Sequence, residues 1–317
     1  MSTTKVQKIL EFRNVSKFYG AVIGLNSVSV ALPRGIIGLV GPNGAGKSTF
    51  LKLAAGQLKP SLGEVTILDQ PAWEWKAKTK IGFCPEVDSF YEDMTGRDFV
   101  RSMARLVGYP KELAYEKADA ALERVGMASR ADRVVRGYSK GMRQRTKLAQ
   151  ALLHSPELLI LDEPLSGIDP VGRQEMLDLF RSLAAEGKCL LISSHELEEL
   201  EKLTEQVIIL AKGRIADQGS IFEIRERIEN LPLSIRIDSS ERKRLAQTLL
   251  QCDEIATLDL PANLPQSLIV RVNTPKKFYE SLAQFVLREN LPISRLEPLD
   301  ESAHAILGYL LGGSGKT

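Results

Sequence analysis

Eight consecutive residues, Gly41-Pro42-Asn43-Gly44-Ala45-Gly46-Lys47-Ser48, fit the pattern G-x-x-x-x-G-K-[ST]. The motif follows an apolar run, Ile36–Val40, and precedes a helical stretch over residues 48 to 55, the two flanks it requires. Its glycines let successive backbone N–H groups close on phosphate oxygens, and the start of the helix adds positive potential. Lys47 then reaches the terminal phosphates and the Ser48 hydroxyl can ligate Mg²⁺. A glycine turn ahead of a core helix is the plainer alternative. The partner signal is Leu158-Leu159-Ile160-Leu161-Asp162-Glu163, four apolar residues and then two acids. A buried strand ending there puts Asp162 at the C-terminal edge of a sheet, where it can hold the Mg²⁺ shell. Glu163 can orient or deprotonate an attacking water. A strand ending in acids is common, and only the glycine motif upstream gives this one weight.

Such groups need a sheet to hold them. Residues 11 to about 217 alternate short apolar runs with helical stretches, the pattern of a parallel or mixed sheet covered by helices. Ile36–Val40, Leu158–Leu161, residues 190 to 192 and residues 207 to 210 mark the buried strands. Over about 87–153 helix signals take over. Thr95 with Asp98 is a capping pair, Pro110 suits a first helical position and Gly126 suits a helix end. This stretch is expected to be a helical insert in the α/β core. After a tight turn at Lys212-Gly213, Ser220 suits the cap of a charged helix to about Asn230, and Leu231-Pro232 breaks the chain. Beyond it come a strand over 233–237, a helix over 240–251, strands over 255–260 and 267–272, a helix over 275–289, a strand over 293–298 and a last helix over 301–311. That β-α-β-β-α-β order is the split βαβ, ferredoxin-like pattern, with Thr274-Pro275 as cap and first turn. The expected division is therefore a nucleotide-binding domain at 1–228 and a small α+β accessory domain at 229–317.

Composition narrows the function classes. A length of 317 residues suits about two domains. Lys+Arg 42 against Asp+Glu 40 gives a net charge of +2, which excludes a global basic field of the kind that binds nucleic acid. No apolar run approaches the roughly 18 residues needed to span a bilayer. The polar N-terminus lacks a secretory h-region, an expectation of a cytoplasmic protein. Cys84, Cys189 and Cys252 lie far apart without CxxC spacing, so neither a disulfide framework nor a cysteine metal site is encoded; they read as buried packing, and His154 and His304 as structural. The tail copies the end of the phosphate motif in Gly315-Lys316-Thr317, but Leu310 stands where the first glycine belongs and no helix can follow. The preceding Gly312-Gly313-Ser314-Gly315 reads as flexible.

Between the two chemical motifs lies Tyr138-Ser139-Lys140-Gly141-Met142-Arg143-Gln144-Arg145. This stretch resembles the signature sequence of the ATP-binding cassette (ABC) ATPases, in a YSKGM form. The resemblance extends residue by residue over about 11–219. It implies a P-loop NTPase core of the ABC type with a helical subdomain, and ATP and Mg²⁺ as ligands. Tyr19 sits where the family places an aromatic that stacks on adenine, Ser166-Gly167-Ile168-Asp169 resembles the D-loop, and His195 resembles the switch histidine that contacts the γ-phosphate. The implied nucleotide set is Tyr19, the motif from Gly41 to Ser48 with Thr49, and Glu86, joined by Ser139, Gly141 and Asp169. The implied catalytic set is Glu163, His195 and Lys47, and the implied metal set Ser48, Asp162 and Glu86. Glu86, in Gly82-Phe83-Cys84-Pro85-Glu86, departs from the glutamine that most members carry in the Q-loop. A carboxylate there can still ligate Mg²⁺ or a water. Taken alone, Tyr19 is more often a core aromatic and His195 more often a satisfied sheet-edge histidine than a catalytic group, and Lys140, Arg143 and Arg145 can be read as a solvated helix face.

The resemblance also implies how the parts work. In the family, the signature residues of one subunit close over the ATP held by another, so a single-copy chain pairs with a second copy or a related cassette. A lone cassette without membrane helices resembles a subunit that docks on integral membrane permeases, peripheral on the inner face of the cell membrane. The YSKGM form, the Pro-Glu at the Q-loop and the C-terminal appendage resemble the exporter branch. The insert around residues 88 to 107 would hold the groove for a permease coupling helix. The competing class is a soluble ABC ATPase acting on ribosomes or DNA. Its translation-linked members usually carry two cassettes in one chain and its DNA-repair members a long coiled coil, and neither feature is present. No nucleic-acid partner is expected.

Overall fold

The computed structural model describes residues 8–224 and 233–299, which fall into two compact units, Met1–Gln218 and Gly219–Thr317. The first unit begins with β1 (Lys8–Tyr19), β2 (Val22–Pro33), β3 (Ile36–Val40) and α1 (Lys47–Ala54). There follow β4 (Leu62–Ile67), the two-residue β5 (Gln70–Pro71), the single-turn α2 (Trp75–Lys78) and β6 (Ile81–Cys84). The helical insert consists of α3 (Gly96–Val107), α4 (Lys111–Arg124) and α5 (Lys140–Leu152). The core then resumes with β7 (Leu158–Leu161), α6 (Pro170–Ala185), β8 (Cys189–Ser194), α7 (Leu197–Glu201), β9 (Gln206–Ala211) and β10 (Arg214–Ser220).

One sheet has the order β10-β9-β3-β8-β7-β6, and its pairs from β9 to β6 are parallel. Strands buried on both faces read as unbroken apolar runs, which is why β7, β8 and β9 are visible in the sequence. Their register brings the chemical groups to one place. Val40 pairs with Ser194, Leu161 with Ile192, and Cys84 with Leu161, so the loops beginning at Gly41, Asp162, His195 and Pro85 all leave the same edge of the sheet. A second sheet, β2-β1-β4-β5, is antiparallel. Helix α1 is held in the core shared by the two sheets, with Phe50 stacked on Phe12 of β1 at 4.2 Å between ring centroids.

The helical insert begins as expected: Thr95 accepts from the Asp98 N–H at 3.1 Å, and its hydroxyl donates to the Asp98 carboxylate at 2.7 Å. Arg97 bridges Asp119 on α4 and Asp132 beyond it, both at 2.7 Å, which ties the insert together. Lys212 and Gly213 both take positive φ, the turn expected between β9 and β10. Ser220 and Glu223 form a reciprocal cap, the Glu223 N–H donating to Ser220 Oγ at 3.1 Å and the Ser220 N–H to Glu223 Oε2 at 3.0 Å. The rest of that expected helix, the break at Leu231-Pro232, the final helix with His304 and the glycine tail lie outside the described residues.

The second unit contains β11 (Leu233–Asp238), α8 (Arg242–Leu249), β12 (Ile255–Asp259), β13 (Ser267–Val272), α9 (Pro275–Glu289) and β14 (Arg295–Pro298). Its sheet order, β12-β13-β11-β14, is antiparallel throughout, with the first and third strands in the centre, the split βαβ arrangement read from the sequence. Ile235, Ile237, Leu268, Val270 and Val272 alternate onto one face and pack with Leu245, Leu249, Phe278 and Leu282 from the two helices. One detail differs. Thr274 precedes α9 but its side chain makes no capping bond, because its φ and ψ of −133° and 81° lie outside the usual cap geometry; Pro275 does occupy the first turn.

All three cysteines are free and buried. Burial pushes the Cys84 thiol up to about 12. Because the thiolate is the nucleophile, an Ellman titration is expected to find no reactive thiol in the native chain and three in denaturant. Rapid native labelling of Cys84 would contradict its burial.

Candidate active site

The glycine motif closes where the sequence places it, between β3 and α1. Gly41 could carry no side chain, since a Cβ there would stand 2.5 Å from the Leu210 carbonyl oxygen. Gly46, at φ +106°, is equally constrained, with the Gly24 carbonyl 2.6 Å from where a Cβ would lie. The loop is pinned by the Ala45 N–H donating to Pro42 O at 3.1 Å and the Gly213 N–H donating to Ala45 O at 2.9 Å. Lys47 folds back into it, its ammonium donating to Gly41 O at 2.6 Å.

Across the loop stand the residues after β7 and β8. Lys47 Nζ lies 3.4 Å from Glu163 Oε1, and both side chains are only 8% exposed. The other Glu163 oxygen, Oε2, is 2.9 Å from His195 Nδ1. Glu163 holds this position at φ 48°, a left-handed conformation that costs a non-glycine residue about 1–3 kcal/mol. Asp162 accepts from Ser193 Oγ at 2.7 Å, and the Ser48 hydroxyl also bonds to it. Burial pushes the Asp162 carboxyl above the usual aspartate range, against the pull of those two hydroxyls.

These groups line one cavity of about 510 Å³. It is bounded by Tyr19, Val22, Ile23 and Gly24 at one end, by Pro42, Asn43, Gly44, Gly46, Lys47, Ser48 and Thr49 along the loop, and by Glu86, Asp162, Glu163, Ser166 and His195 at the other. Tyr19 is therefore not a core aromatic: it is 45% exposed, and its ring would crowd a Cβ at Gly24 to 2.8 Å. A second cavity, of about 640 Å³, runs below the helical insert between Lys52, Gln57, Phe83, Met103 and Val107. Ser48, Glu86 and Asp162 line both cavities and so form the wall between them.

The signature stretch stands apart from this cavity. Ser139 caps α5, accepting from the Met142 N–H at 3.3 Å, while Asp169 caps α6, accepting from the Gly172 N–H at 3.0 Å. Those backbone donors hold the Asp169 carboxyl below the usual range. The two caps are neighbours: a Cβ at Gly141 would touch Ile168, and one at Gly167 would touch the Lys140 side chain, both at 3.5 Å. Neither Ser139, Gly141 nor Asp169 is among the residues lining the Lys47 cavity.

Three supporting groups are absent from the motif reading. Ser193 holds Asp162 with its hydroxyl proton and receives the Glu163 N–H at 2.8 Å, so it orients both acids. Ser194 donates to Glu199 at 2.9 Å, and Glu199 pairs with Arg173 of α6 at 3.0 Å, tying the His195 loop to the helix that Asp169 caps. A serine pair at the end of an otherwise apolar strand was the available signal. Lys147 of α5, buried, donates to the Pro85 and Glu86 carbonyls at 2.8 and 3.0 Å and pairs with Asp88 at 2.9 Å. It binds the Glu86 turn to the helix that Ser139 caps. Lys147→Met is expected to cost about 1.5–3 kcal/mol, the value of hydrogen bonds to a charged group. The check is the urea midpoint at unchanged slope, and an unmoved midpoint would show the turn to be held by other contacts.

The residues fit a nucleotide with Mg²⁺. The loop is a cradle that a side chain would fill, and its buried ammonium already has a carboxylate opposite it where phosphate oxygens could stand. Among the described residues no group of three His, Cys, Asp or Glu could hold a metal unaided. Ser48, Asp162 and Glu86 form a sparse oxygen set of the kind Mg²⁺ shares with phosphates and waters.

Comparison with known proteins agrees with this geometry. The family model described as ABC transporter matches residues 25–166. The bacitracin transport ATP-binding protein BcrA of Enterococcus faecalis is 30% identical over 314 residues, covering 98% of each chain. The chain belongs to the ABC transporter ATP-binding proteins. The daunorubicin/doxorubicin resistance ATP-binding protein DrrA of Streptomyces peucetius is 28% identical to this cassette chain, over 96% of it and 94% of DrrA. An uncharacterised ABC transporter ATP-binding protein of Nostoc sp. is 40% identical over 206 residues, and there the match spans 64% of this chain and 62% of the relative. A solved ATP-binding subunit of an ABC transporter superposes with a TM-score of 0.62 at 28% identity, covering 69% of this chain and 93% of that one. The cassette fold is thus shared, and the ferredoxin-like unit lies beyond the family-model match.

Proposed function

We propose that the chain is the ATP-binding and ATP-hydrolysing subunit of an exporter-type ABC transporter, working as two copies on separate integral membrane permeases. The observation that carries this reading is the placement of Lys47, Ser48, Asp162, Glu163 and His195 on one cavity, with Ser139 and Gly141 outside it. A nucleotide held by the first set has its terminal phosphate open to donors from another chain. The α5 N-terminus, with Ser139 at its cap, is suited to supply them.

In this reading Tyr19 stacks on the base, the backbone N–H groups from Asn43 to Thr49 hold the phosphates, and Lys47 turns from Glu163 to the terminal phosphate. Glu163, freed from Lys47, accepts the proton of an attacking water, and His195 holds that carboxylate and reaches the γ-phosphate. Ser48 and Asp162, with Glu86 beside them, would hold Mg²⁺, which when bound would supply neutralisation of charge on the phosphate oxygens. Closure arises from differential contact: nucleotide touches both chains only in the closed pair. The wall of Ser48, Glu86 and Asp162 shared by the two cavities supports a coupling role for the lower groove, where a permease helix would press on the Glu86 turn.

The exporter assignment draws on relatives named for bacitracin transport, drug resistance and, at 35% identity, Nod factor export. Among the described residues no helix is long and apolar enough to cross a membrane, and the proposed place is the inner face of the cell membrane. The test is a pull-down from detergent-solubilised native membranes with the Glu163→Gln chain held in ATP. Recovery of a polytopic membrane protein is expected, and recovery of ribosomes or DNA instead would overturn the reading.

A further inference from the structure

The chain has two tryptophans, Trp73 and Trp75, and both face outward, at 45% and 71% exposure. A tryptophan ring carries a large apolar area that folding normally covers. Two exposed rings two residues apart in sequence therefore mark a contact surface. Lysines flank Trp73. Trp73 lies between Lys59 Nζ, 4.7 Å from its ring centroid, and Lys78 Nζ, at 4.4 Å. In α2 the buried residue is Ala77, which leaves Trp75, Lys76 and Lys78 on the surface. Among the described residues Lys59, Lys76 and Lys78 have no ion-pair partner, whereas Lys80 is paired with Glu157 at 3.0 Å. From Gln70 to Lys80 a single acid, Glu74, stands against three lysines.

This surface is built and held in place. Gly56, at φ +64°, lies so close to Ala72 that a Cβ would fall 1.9 Å from the Ala72 carbonyl oxygen, which locks the tryptophan loop onto the end of α1. The loop is closed further by the Ala72 N–H on Val65 O at 2.8 Å and the Glu74 N–H on Pro71 O at 2.9 Å. Lys52 and Gln57, from the same α1 end, line the lower groove. The tryptophan loop thus packs, through Ala72 on Gly56, beside the α1 end whose Lys52 and Gln57 line the groove proposed for the permease.

We propose that Trp73 and Trp75, with Lys59, Lys76 and Lys78, seat on the anionic lipid headgroups of the bilayer beside the permease. This rests on the membrane-docked role proposed for the chain. Indole rings favour the boundary between apolar chains and water, and compact ammonium groups on long stems meet lipid phosphates at the same depth. A bilayer surface offers both at once, an apolar layer for the rings and phosphates for the ammonium groups.

The two rings are also the only tryptophan fluorophores, so emission reports this surface alone. The experiment mixes the purified full chain with vesicles of phosphatidylglycerol and phosphatidylcholine, or of phosphatidylcholine only, with brominated acyl chains. Expected are a blue shift and quenching with the anionic vesicles, both lost at high salt as charges are screened, and neither with phosphatidylcholine alone. The triple change Lys59→Glu, Lys76→Glu, Lys78→Glu is expected to weaken vesicle binding at least about tenfold while ATP hydrolysis is retained. Trp75→Ala, at the more exposed ring, tests the same surface without charge reversal and should weaken binding in the same direction. Emission unmoved by anionic vesicles, or binding unmoved by the triple change, would overturn the proposal. So would a shift that appears only when permease in neutral detergent is added, which would give the surface to the protein partner. A chain that ignores anionic vesicles yet still recovers its permease would sink the lipid proposal alone.

Discussion

Glu163→Gln is expected to lower ATP hydrolysis by about 10²–10⁴-fold, the usual worth of a positioned general base, while ATP still binds. The carboxylate stands at the end of β7 between Lys47 and His195, at 3.4 and 2.9 Å, and its backbone N–H is fixed by Ser193. A glutamine keeps the shape and can still bond to His195, but it cannot take a proton. The variant should therefore accumulate bound ATP in single-turnover assays, where the wild type yields ADP. The companion change Ser193→Ala should act in the same direction by freeing both acids, with a smaller loss. Near-wild-type turnover of Glu163→Gln would remove Glu163 from the mechanism and move the search to His195.

Lys47→Ala combines two effects. In the nucleotide-free chain it removes the ammonium opposite a carboxylate that is almost fully buried, and breaking such a pair costs up to about 3–5 kcal/mol. The remaining contact to His195 should keep the loss toward the lower end. In the nucleotide complex it removes charge-assisted bonds to the terminal phosphates, an expected affinity loss of about 10- to 150-fold. Fluorescent-nucleotide titration reads the second effect and the urea midpoint the first. The double change Lys47→Ala, Glu163→Gln should recover most of the stability, because it leaves no unpaired charge, yet none of the nucleotide affinity. Equal midpoints for the single and double variants would show the pair to be uncoupled.

Much of this site can be read from local sequence because its groups hang on uninterrupted apolar strands. Leu158–Leu161 is buried end to end and Ile36–Val40 is buried from Ile37 onward, so Gly41 and Asp162 must emerge where those runs stop. The antiparallel sheet is far less visible. β1 and β2 are each 12 residues long, but bulges shift their register several times and destroy the period-2 alternation that betrays a half-buried strand. Pairings between distant segments leave no trace in sequence. Lys47 with Glu163, Glu199 with Arg173, and Lys147 with the Glu86 turn exist only once the strands are in register. Thr274 shows the converse, a good capping residue by type whose backbone does not take the capping conformation. Trp73 and Trp75 would pass for core residues by composition, since only the fold shows them facing outward.

The account stands or falls on a composite site, with Lys47 and Glu163 from one chain and Ser139 and Gly141 from another. Size-exclusion chromatography with light scattering on Glu163→Gln measures this directly. With ATP and Mg²⁺ the chain is predicted to elute at twice its monomer mass, and with ADP or without nucleotide at the monomer mass. Ser139→Arg, which blocks the α5 N-terminus without touching the Lys47 cavity, should abolish the shift while ATP still binds. A Glu163→Gln chain that stays monomeric with ATP bound would contradict the shared site.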